Sequence, residues 1–189
     1  TGLNPGTNVN GLKDVNIPIG ITVTMDADVA VNTNRKIIVD GTLNGTGHIL
    51  SLSGGNLEGT GTSLFDSLYC GLTSAINIGA NANLTSNAIF LSTGSNITPG
   101  TGANIICNNL TNQGNILNIS EGNFTVKDNL ELTAGWLRLT GNTLFTLTDT
   151  CWIKMRGGRI RNYTTNDITA NLNVRLSDNA DSLVNDLSL

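Results

Sequence analysis

Charged and aromatic side chains are scarce in this chain of 189 residues. Aromatic residues make up 4% of it, charged residues 13%, and the formal net charge is −4. A weakly acidic chain lacks the basic surface that general nucleic-acid binding requires, so we expect no nucleic acid among its partners. No apolar run reaches the roughly 18 residues that a transmembrane helix needs, and we therefore expect no membrane insertion.

Cysteine and histidine are also sparse. The three cysteines lie far apart, none of them is in a CxxC pair, and His48 is the only histidine. We therefore expect no zinc site, and no other metal or cofactor. An odd number of cysteines at apolar strand positions predicts free thiols in the core instead of a disulfide framework, and it favours folding in a reducing cytosol. The three residues are Cys70, Cys107 and Cys151.

A short apolar rhythm runs through most of the chain. In NLTNQGNILNISEGNFTVKDNLELTAGWLRLTGN, residues 109–142, apolar residues come in pairs with one residue between them, as in Leu130 and Leu132 or Leu137 and Leu139. A period of two is typical of a β-strand with one buried face, and no window sustains the three- and four-residue steps of an amphipathic helix. Gly, Asn and Asp between the pairs favour turns. The sequence therefore predicts an all-β protein.

The pairs recur with a longer period of about 21 residues, three pairs to a period. The first set is centred near Ile21, Leu43, Leu64, Leu84, Ile105, Phe124, Phe145 and Ile168. The second set is Val29, Leu50, Tyr69 to Leu72, Ile89, Leu110, Leu130, Ile153 and Leu172. The third set is Ile17, Ile37, Leu57, Ile76, Ile97, Leu117, Leu137 and Ile160. Three short strands per coil predict a parallel β-helix, or solenoid, of about seven to eight coils. The irregular gaps between beats favour a right-handed helix over a strict hexapeptide helix of the left hand.

The same rhythm divides the chain into three parts. Residues 15–175 follow it and are predicted to form the β-helix. Residues 1–14 lack it and are predicted to be a linker or cap, and residues 176–189 are predicted to be a cap or a lead-in to another module. The end coils of a solenoid need covering, because an open strand edge is a template for aggregation.

Two polar series accompany the first strand set. One precedes the strands and is interpreted as a ladder of stacked amides at a corner, formed by Asn83, Asn104, Asn123 and Asn142. The other is predicted to point outward and consists of Thr22, Thr85, Thr125, Thr146 and Thr169. A flat threonine column could bind ice. However, Phe65 and Ile106 are predicted to interrupt it, and threonine is common on exposed strands.

Aromatic and basic side chains concentrate towards the C-terminal coils. The candidate binding residues are Trp136, Arg138, Trp152, Lys154, Arg156, Arg159, Arg161 and Tyr163, several of them in the run WIKMRGGRIRNY. An exposed tryptophan can stack on a sugar ring or be buried in a subunit interface, unless a loop covers it. The cations could hold an anionic sugar or an acidic partner, or be a solvated corner. Glu131 and Lys154, one coil apart, are predicted to form a surface ion pair.

Carboxylates are scattered. Polysaccharide hydrolases and lyases on β-helices need carboxylates clustered on adjacent coils, with each other or with Lys or Arg. No two of the following residues are predicted to share a face in adjacent coils: Asp40, Glu58, Asp66, Glu121, Asp128, Glu131 and Asp149. The sequence therefore favours a non-enzymatic protein, and it offers no catalytic residue.

Two stretches carry a resemblance to known repeats. NNLTNQGNILNISEGNFTVKDNLELTAG resembles repeats of bacterial surface adhesins of the filamentous-haemagglutinin type and of secreted proteins of the Bacteroidota. KIIVDGTLNGTGHILSLSGGNLEG is similar to coils of pectin-lyase-like β-helices and phage tail spikes. The resemblance covers roughly residues 15–175 and rests on rhythm alone. It implies the fold and a surface-exposed location, and it transfers no catalytic residue.

Three function classes follow. The first is a non-enzymatic structural or receptor-binding module of a phage or viral appendage, such as a tail spike, fibre or capsid decoration. The second is a segment of a secreted bacterial surface adhesin, and the third is a polysaccharide depolymerase. Free cysteines favour the first. We expect location on the virion surface, or alternatively outside or on the surface of a bacterial cell. The expected partners are further copies of the chain in a homotrimer, other virion or surface proteins, and cell-surface polysaccharide.

Overall fold

The computed structural model describes residues 8–9, 14–148, 151–164, 169–170 and 173–176. In these ranges the chain is all-β, with parallel strands stacked as a solenoid of about 7 turns at a spacing of ~21 residues, as predicted. The described strands are β1 (Asn8–Val9), β2 (Val15–Ile17), β3 (Thr22–Thr24), β4 (Val29–Asn32), β5 (Lys36–Val39), β6 (Thr42–Ser53), β7 (Asn56–Gly59), β8 (Thr62–Cys70), β9 (Ala75–Ile78), β10 (Asn83–Leu91), β11 (Asn96–Pro99), β12 (Asn104–Gln113), β13 (Ile116–Ile119), β14 (Asn123–Thr133), β15 (Trp136–Leu139), β16 (Leu144–Leu147), β17 (Trp152–Arg156), β18 (Arg159–Asn162), β19 (Thr169–Ala170) and β20 (Asn173–Leu176).

These strands form three faces. A twelve-stranded sheet supplies two of them, because its long strands β6, β8, β10, β12 and β14 each run from one face to the next. We call face 1 the part formed by β3, the first halves of the long strands, β16 and β19. Face 2 consists of β1, β4, the second halves of the long strands, β17 and β20. Face 3 consists of two smaller sheets, β2-β5-β7-β9-β11 and β13-β15-β18.

The core consists of inward side chains that stack in register from coil to coil. The column of face 1 is Val23, Leu43, Ser63, Leu84, Ile105, Phe124 and Phe145. The column of face 2 is Val29, Leu50, Leu68, Ile89, Leu110, Leu130 and Ile153. The column of face 3 is Val15, Ile37, Leu57, Ile76 and Ile97, followed by Leu117, Leu137 and Ile160. Removal of these side chains from water is the main term that stabilises the stack.

The coil that contains β8 has its face-1 strand one residue out of phase with the sequence interpretation. Ser63 and Phe65 are buried, whereas Leu64 lies on the outward side. The neighbours of Phe65 in its column are Gly45 and Ser86, both small. Burying the phenyl ring between two small residues removes more apolar surface from water than burying Leu64 would. The predictions of an inward Leu64 and an outward Phe65 are therefore wrong.

Two other members of the predicted strand sets are displaced. Val23, and not Ile21, is the register partner of the face-1 column, and Ile21 is half exposed. On face 2 the column contains Leu68, while Tyr69 points outward and Leu72 lies exposed in the following turn. In both cases several apolar residues adjoin in sequence, so the pairing with the next coil decides which of them is buried.

The first coil of face 3 also differs from the expected alignment. Val15 pairs with Ile37, and Ile17 pairs with Val39. Ile17 and Ile37, assigned to one column from the sequence, therefore belong to two neighbouring columns.

Parts of the sequence interpretation fall outside the described residues. In the N-terminal segment, β1 pairs in parallel with β4. The predicted strand centres Ile168 and Leu172 lie outside the described residues. So does most of the predicted linker and cap, namely residues 1–7, 10–13 and 177–189.

An asparagine ladder runs along face 1. Asn83, Asn104 and Asn123 are in register on successive coils. Asn104 Nδ2 donates to Asn83 Oδ1 at 3.3 Å, and Asn123 Nδ2 donates to Asn104 Oδ1 at 2.8 Å. This part of the predicted ladder is confirmed. Asn142 is not a member, because Leu144 occupies the next position in register.

The outward column beside this ladder is mixed. It consists of Thr24, Asn44, Leu64, Thr85, Ile106, Thr125 and Thr146. The strand of Thr169 pairs with that of Thr146, and the side chain of Thr169 lies outside the described part of the chain. Ile106 interrupts the column as predicted, whereas Leu64 takes the place assigned to Phe65. Thr22 belongs to the column of the asparagine ladder instead. The flat, unbroken threonine surface that an ice-binding function would need is not formed.

Face 3 is interrupted between β11 and β13 by a buried amide. Asn115 Oδ1 accepts a hydrogen bond from the N–H of Gly94, and its Nδ2 donates to the carbonyl oxygen of Ser92. The same Nδ2 lies 3.3 Å from Ser95 Oγ, and Asn112 Nδ2 donates to the Asn115 carbonyl oxygen at 3.1 Å. The side chain of Asn115 thereby joins two coils at a place where the third face changes from one sheet to the other.

The cysteines are buried free thiols, as the sequence predicts. Burial away from water raises the pKa of Cys70 to about 12 and that of Cys151 to about 11. It raises the pKa of Cys107 as well, with a smaller contribution in the same direction from Cys151. These thiols are therefore protonated and unreactive at neutral pH.

Candidate functional site

The candidate binding residues lie in two groups on different faces. One group, which we call the cationic cluster, is on face 3 and consists of Trp136, Arg138, Arg159, Arg161 and Tyr163. The other is on β17 of face 2 and consists of Trp152, Lys154 and Arg156. Gly157 and Gly158 separate β17 from β18 at the corner between these faces. The structure thus brings five of the eight predicted residues together and places the other three elsewhere.

Trp136 is at the centre of the cationic cluster. It lies opposite Arg159 in the register of β15 and β18. The Cζ atoms of Arg159 and Arg161 are 5.1 Å and 4.6 Å from the centroid of the indole ring, within the range of cation–π attraction. Its register partner on the preceding coil is Ile116, which is 54% exposed. The indole is therefore held between an apolar side chain and two guanidinium groups.

A second aromatic ring holds the other end of the cluster. Arg138 Cζ is 5.8 Å from the centroid of the Tyr163 ring, and Arg161 Nη1 donates to Tyr163 Oη at 3.1 Å. Arg138 and Arg161 are register partners, so their backbones are one coil apart, about 4.8 Å. Among the described residues the buried Nε of Arg138 has no hydrogen-bond partner. The rings fix the guanidinium groups in a defined arrangement, which reduces the entropy lost on binding a ligand.

The charge of the cationic cluster has one sign. The sheet that carries it consists of β13, β15 and β18, with the sequences ILNI, WLRL and RIRN. These strands contain three arginines and no carboxylate. Adjacent positive charges reinforce each other's field above the sheet. Guanidinium groups present paired N–H donors that match the oxygens of carboxylate, sulfate or phosphate groups. The chemistry of the cluster is therefore anion binding beside aromatic rings.

The group on β17 is less concentrated in charge. Arg156 Nε lies 3.6 Å from Glu131 Oε1, so one of its cations faces a carboxylate on the preceding coil. The sequence predicts that Glu131 pairs with Lys154, its direct register partner. The ion pair in the structure is instead diagonal, because the longer guanidinium side chain reaches across. Trp152 is 45% exposed and has Asn129 as its register partner.

One surface feature was missed from the sequence. Tyr69 of β8 and Phe90 of β10 are register partners on the outside of face 2. Their ring centroids are 4.6 Å apart and their planes differ by 6°, so the rings are stacked. The sequence interpretation assigns Tyr69 to the second, buried strand set. A spacing of 21 residues between two aromatic residues was the available signal, and it was hidden by the run of apolar residues around Tyr69.

Several described carboxylates are engaged separately in the scaffold. Asp40 Oδ1 accepts hydrogen bonds from the N–H and Oγ1 of Thr60, at 3.1 Å and 2.9 Å. Glu58 Oε2 lies 3.2 Å from Lys36 Nζ. Within residues 14–148 and 151–164, no three His, Cys, Asp or Glu side chains form a group that could hold a metal ion. No helix suited to crossing a membrane occurs in the part of the chain that the structure describes.

A comparison of the chain with protein families, curated proteins and solved structures finds no match. Function is therefore inferred from the geometry of the described residues.

Proposed function

We propose that this chain is a non-enzymatic β-helix module that combines rigid spacing with receptor binding in a virion appendage, such as a tail spike, fibre or capsid decoration. In this proposal its ligand is an anionic cell-surface polysaccharide, bound on face 3. The observation that carries the proposal is the cationic cluster, in which two aromatic rings fix three arginines on strands that have no carboxylate.

The scaffold suits this role because it is ordered by its own repeats. β15, the central strand of the cationic cluster's sheet, is paired with β13 on the preceding coil and with β18 on the following one, and Leu137 is fully buried between Leu117 and Ile160. Outward side chains on such a strand are held at fixed positions relative to one another. Binding groups that are held in place by a rigid element lose little conformational entropy on binding.

The buried thiols support a virion component over an exported protein. Cys70, Cys107 and Cys151 are unpaired and buried. Free thiols persist in a reducing cytosol, where a virion assembles, whereas an exported protein passes through oxidising compartments. A segment of a bacterial surface adhesin remains the second candidate, because a solenoid of stacked parallel coils can also form part of a long adhesin. The genes that flank the full-length gene distinguish the two: virion structural genes support the first, and secretion signals support the second.

Affinity electrophoresis tests the ligand class. The purified chain is run in native gels that contain polygalacturonate or dextran sulfate. Migration should be retarded relative to gels without polysaccharide, and the retardation should weaken as salt is added, because the interaction is ionic. The double variant Arg138→Gln and Arg159→Gln should bind at least about tenfold more weakly. The control, Lys154→Gln with Arg156→Gln, carries the same change of charge on face 2 and should bind like the wild type.

Two outcomes contradict the proposal. Equal losses in the face-2 control and the face-3 variant would mean that only net charge matters. Cleavage of a polysaccharide by the purified chain, abolished by substitution of a carboxylate, would replace the non-enzymatic assignment with a depolymerase. Light scattering tests the oligomeric part separately: we expect three copies, and a monomer at micromolar concentration would contradict the trimer.

A further inference from the structure

The stacked aromatic pair on face 2 has the geometry of a second binding site. Tyr69 and Phe90 lie on successive coils, and their centroid separation of 4.6 Å equals, within error, the spacing between coils. The stack therefore runs along the axis of the solenoid. Tyr69 is 45% exposed although its ring packs on a neighbour. We call these two stacked rings on the outer side of face 2 the aromatic ridge.

Small hydroxylated residues flank the aromatic ridge at both ends. The register partner that precedes Tyr69 is Ser51, and the partner that follows Phe90 is Thr111. Neither side chain is long enough to cover a neighbouring ring. Each end of the ridge is thus a step, with an aromatic face as its wall and a hydroxyl-bearing residue at its foot.

The outward column beside the aromatic ridge is uncharged. The neighbouring outward column contains Ser67, Ala88 and Asn109, which are in register with one another. The nearest carboxylate in sequence is Asp66, and its Oδ1 accepts a hydrogen bond from Asn87 Nδ2 at 2.7 Å. A ligand of this surface therefore meets ring faces, hydroxyls and an amide. The nearest charge along the outward column is Glu131, the register partner of Thr111, and it is balanced by Arg156, whose Nε lies 3.6 Å from Glu131 Oε1.

We infer that the aromatic ridge binds a neutral saccharide. A pyranose ring has an apolar C–H face that packs on an aromatic ring and a rim of hydroxyls that exchange hydrogen bonds with Ser, Thr and Asn side chains. The step beside Phe90 offers both, with the hydroxyl of Thr111 at its foot. The amide of Asn109 lies beside it, held in place because its Nδ2 donates to the Asn87 carbonyl oxygen at 3.3 Å and its Oδ1 accepts from Asn129 Nδ2 at 2.7 Å. The site is on another face than the cationic cluster and has the opposite requirement for ligand charge, so it is independent of the function proposed above.

A second copy of the chain is the competing occupant of this surface, and it fits less well. Two flat β faces pack by interdigitating side chains over a wide area. A ridge two rings high needs a matching groove on the partner, whereas the neighbouring positions Ser67 and Ala88 provide only a shallow depression. A projecting pair of rings with polar steps on either side is better matched to a ligand the size of a sugar unit.

Affinity electrophoresis in neutral polysaccharides tests the inference. The gels contain dextran, galactomannan, xyloglucan or hydroxyethyl cellulose, with polygalacturonate for comparison. We expect retardation in at least one neutral gel, with no dependence on salt. Phe90→Ala and Tyr69→Ala should each weaken that association at least about fivefold, because each removes a ring face and unstacks the other ring. Tyr69→Phe keeps the stack and should stay within about twofold of the wild type. Trp152→Ala, an aromatic loss on the same face three coils away from Phe90, should have no effect.

Circular dichroism and thermal unfolding establish that the variants are folded, which we expect because both side chains point outward. Absence of retardation in all four neutral gels would overturn the inference, and so would unchanged binding by Phe90→Ala. If Phe90→Ala instead lowers the mass measured by light scattering, the aromatic ridge is a contact between copies and not a saccharide site. The Tyr69 and Phe90 variants should still be retarded in polygalacturonate, because the cationic cluster is unchanged in them. The test of the aromatic ridge is therefore distinct from the test of the proposed function.

Discussion

Asn123 donates a hydrogen bond from Nδ2 to Oδ1 of Asn104, its register partner on the preceding coil, at 2.8 Å. Asn104 in turn donates to Asn83 at 3.3 Å. An amide that both accepts and donates along the axis links three coils through one exposed column. This arrangement uses the donor and the acceptor that an Asn side chain carries on one planar amide group.

The middle position of this ladder is predicted to be the sensitive one. Asn104→Ala removes both side-chain bonds between coils and should lower the free energy of unfolding by about 0.5–1.5 kcal/mol. Asn142→Ala is the matched control, because Asn142 is exposed and outside the ladder, and it should change stability by less than about 0.5 kcal/mol. Urea titrations followed by circular dichroism measure both. Equal losses of unfolding free energy in the two variants would mean that the hydrogen bonds of the ladder do not stabilise the fold.

A charged side chain in the core column of face 2 is predicted to destabilise the fold strongly. Leu130 is fully buried and lies in register between Leu110 and Ile153. Leu130→Asp places a carboxylate among apolar neighbours and should cost about 4 kcal/mol or more. The nearby Glu131→Asp, on the outward side of the same strand, should cost less than about 1 kcal/mol. The midpoints of denaturant unfolding compare them; a small effect at Leu130 would place its side chain on the outside.

A glycine at the corner between faces 3 and 1 is predicted to be irreplaceable. A Cβ added at Gly61 would lie 2.1 Å from the carbonyl oxygen of Gly41 on the preceding coil, and backbone cannot move aside as a side chain can. Gly61→Ala should therefore cost about 2–3 kcal/mol through overpacking. At Gly71 the nearest atom to an added Cβ is 3.1 Å away, so Gly71→Ala should cost less. The midpoints of thermal unfolding of the two variants measure this difference. A Gly61→Ala variant as stable as the wild type would contradict the close approach of these coils.

The buried thiols predict how stability depends on alkaline pH. Burial raises the pKa of Cys70 to about 12 and of Cys151 to about 11, above the ordinary 9.0. Between these values the unfolded chain loses protons that the folded chain retains. Stability from this source is complete below pH 9 and falls as the pH rises towards 11 to 12. Urea midpoints measured from pH 8 to pH 11 should decline, and they should decline less in a Cys70→Ala variant.

The same burial predicts slow chemical modification. Iodoacetamide at pH 8 should leave the native chain unmodified and add to all three thiols once urea has unfolded it, as intact mass shows. Modification of Cys151 alone in the native state would indicate that its coil opens locally.

The fold was readable from the sequence because a solenoid repeats one local rule. Period two within a strand and about 21 residues between coils identify the faces of Leu110, Leu130 and Ile153 without any long-range information. The rule loses its phase where apolar residues adjoin. In SLFDSLYC, either Leu64 or Phe65 satisfies the alternation, and the choice depends on the small residues Gly45 and Ser86 in the neighbouring coils.

The surface was harder to predict for a related reason. The residue types of the cationic cluster are evident in the sequence, but the place where the chain turns from face 2 to face 3 is not. Gly157 and Gly158 mark that corner within the basic run, so Trp152, Lys154 and Arg156 lie on face 2 before it and Arg159 and Arg161 lie on face 3 after it. The stack of Tyr69 on Phe90 depends on register between coils, which alternation within one strand does not contain.

The register between β8, β10 and β12 is constant, so in this part of the molecule one coil always corresponds to the same number of residues. All eight pairs between β8 and β10, and all eight between β10 and β12, are 21 residues apart. Gain or loss of one such block of sequence would lengthen or shorten the rod by one step of about 4.8 Å while every remaining residue keeps its face. The cationic cluster lies beyond this block from Tyr69. Duplication or deletion of the 21 residues that follow Phe90 would therefore change the distance between the aromatic ridge and the cationic cluster by one whole step and keep the residues of both.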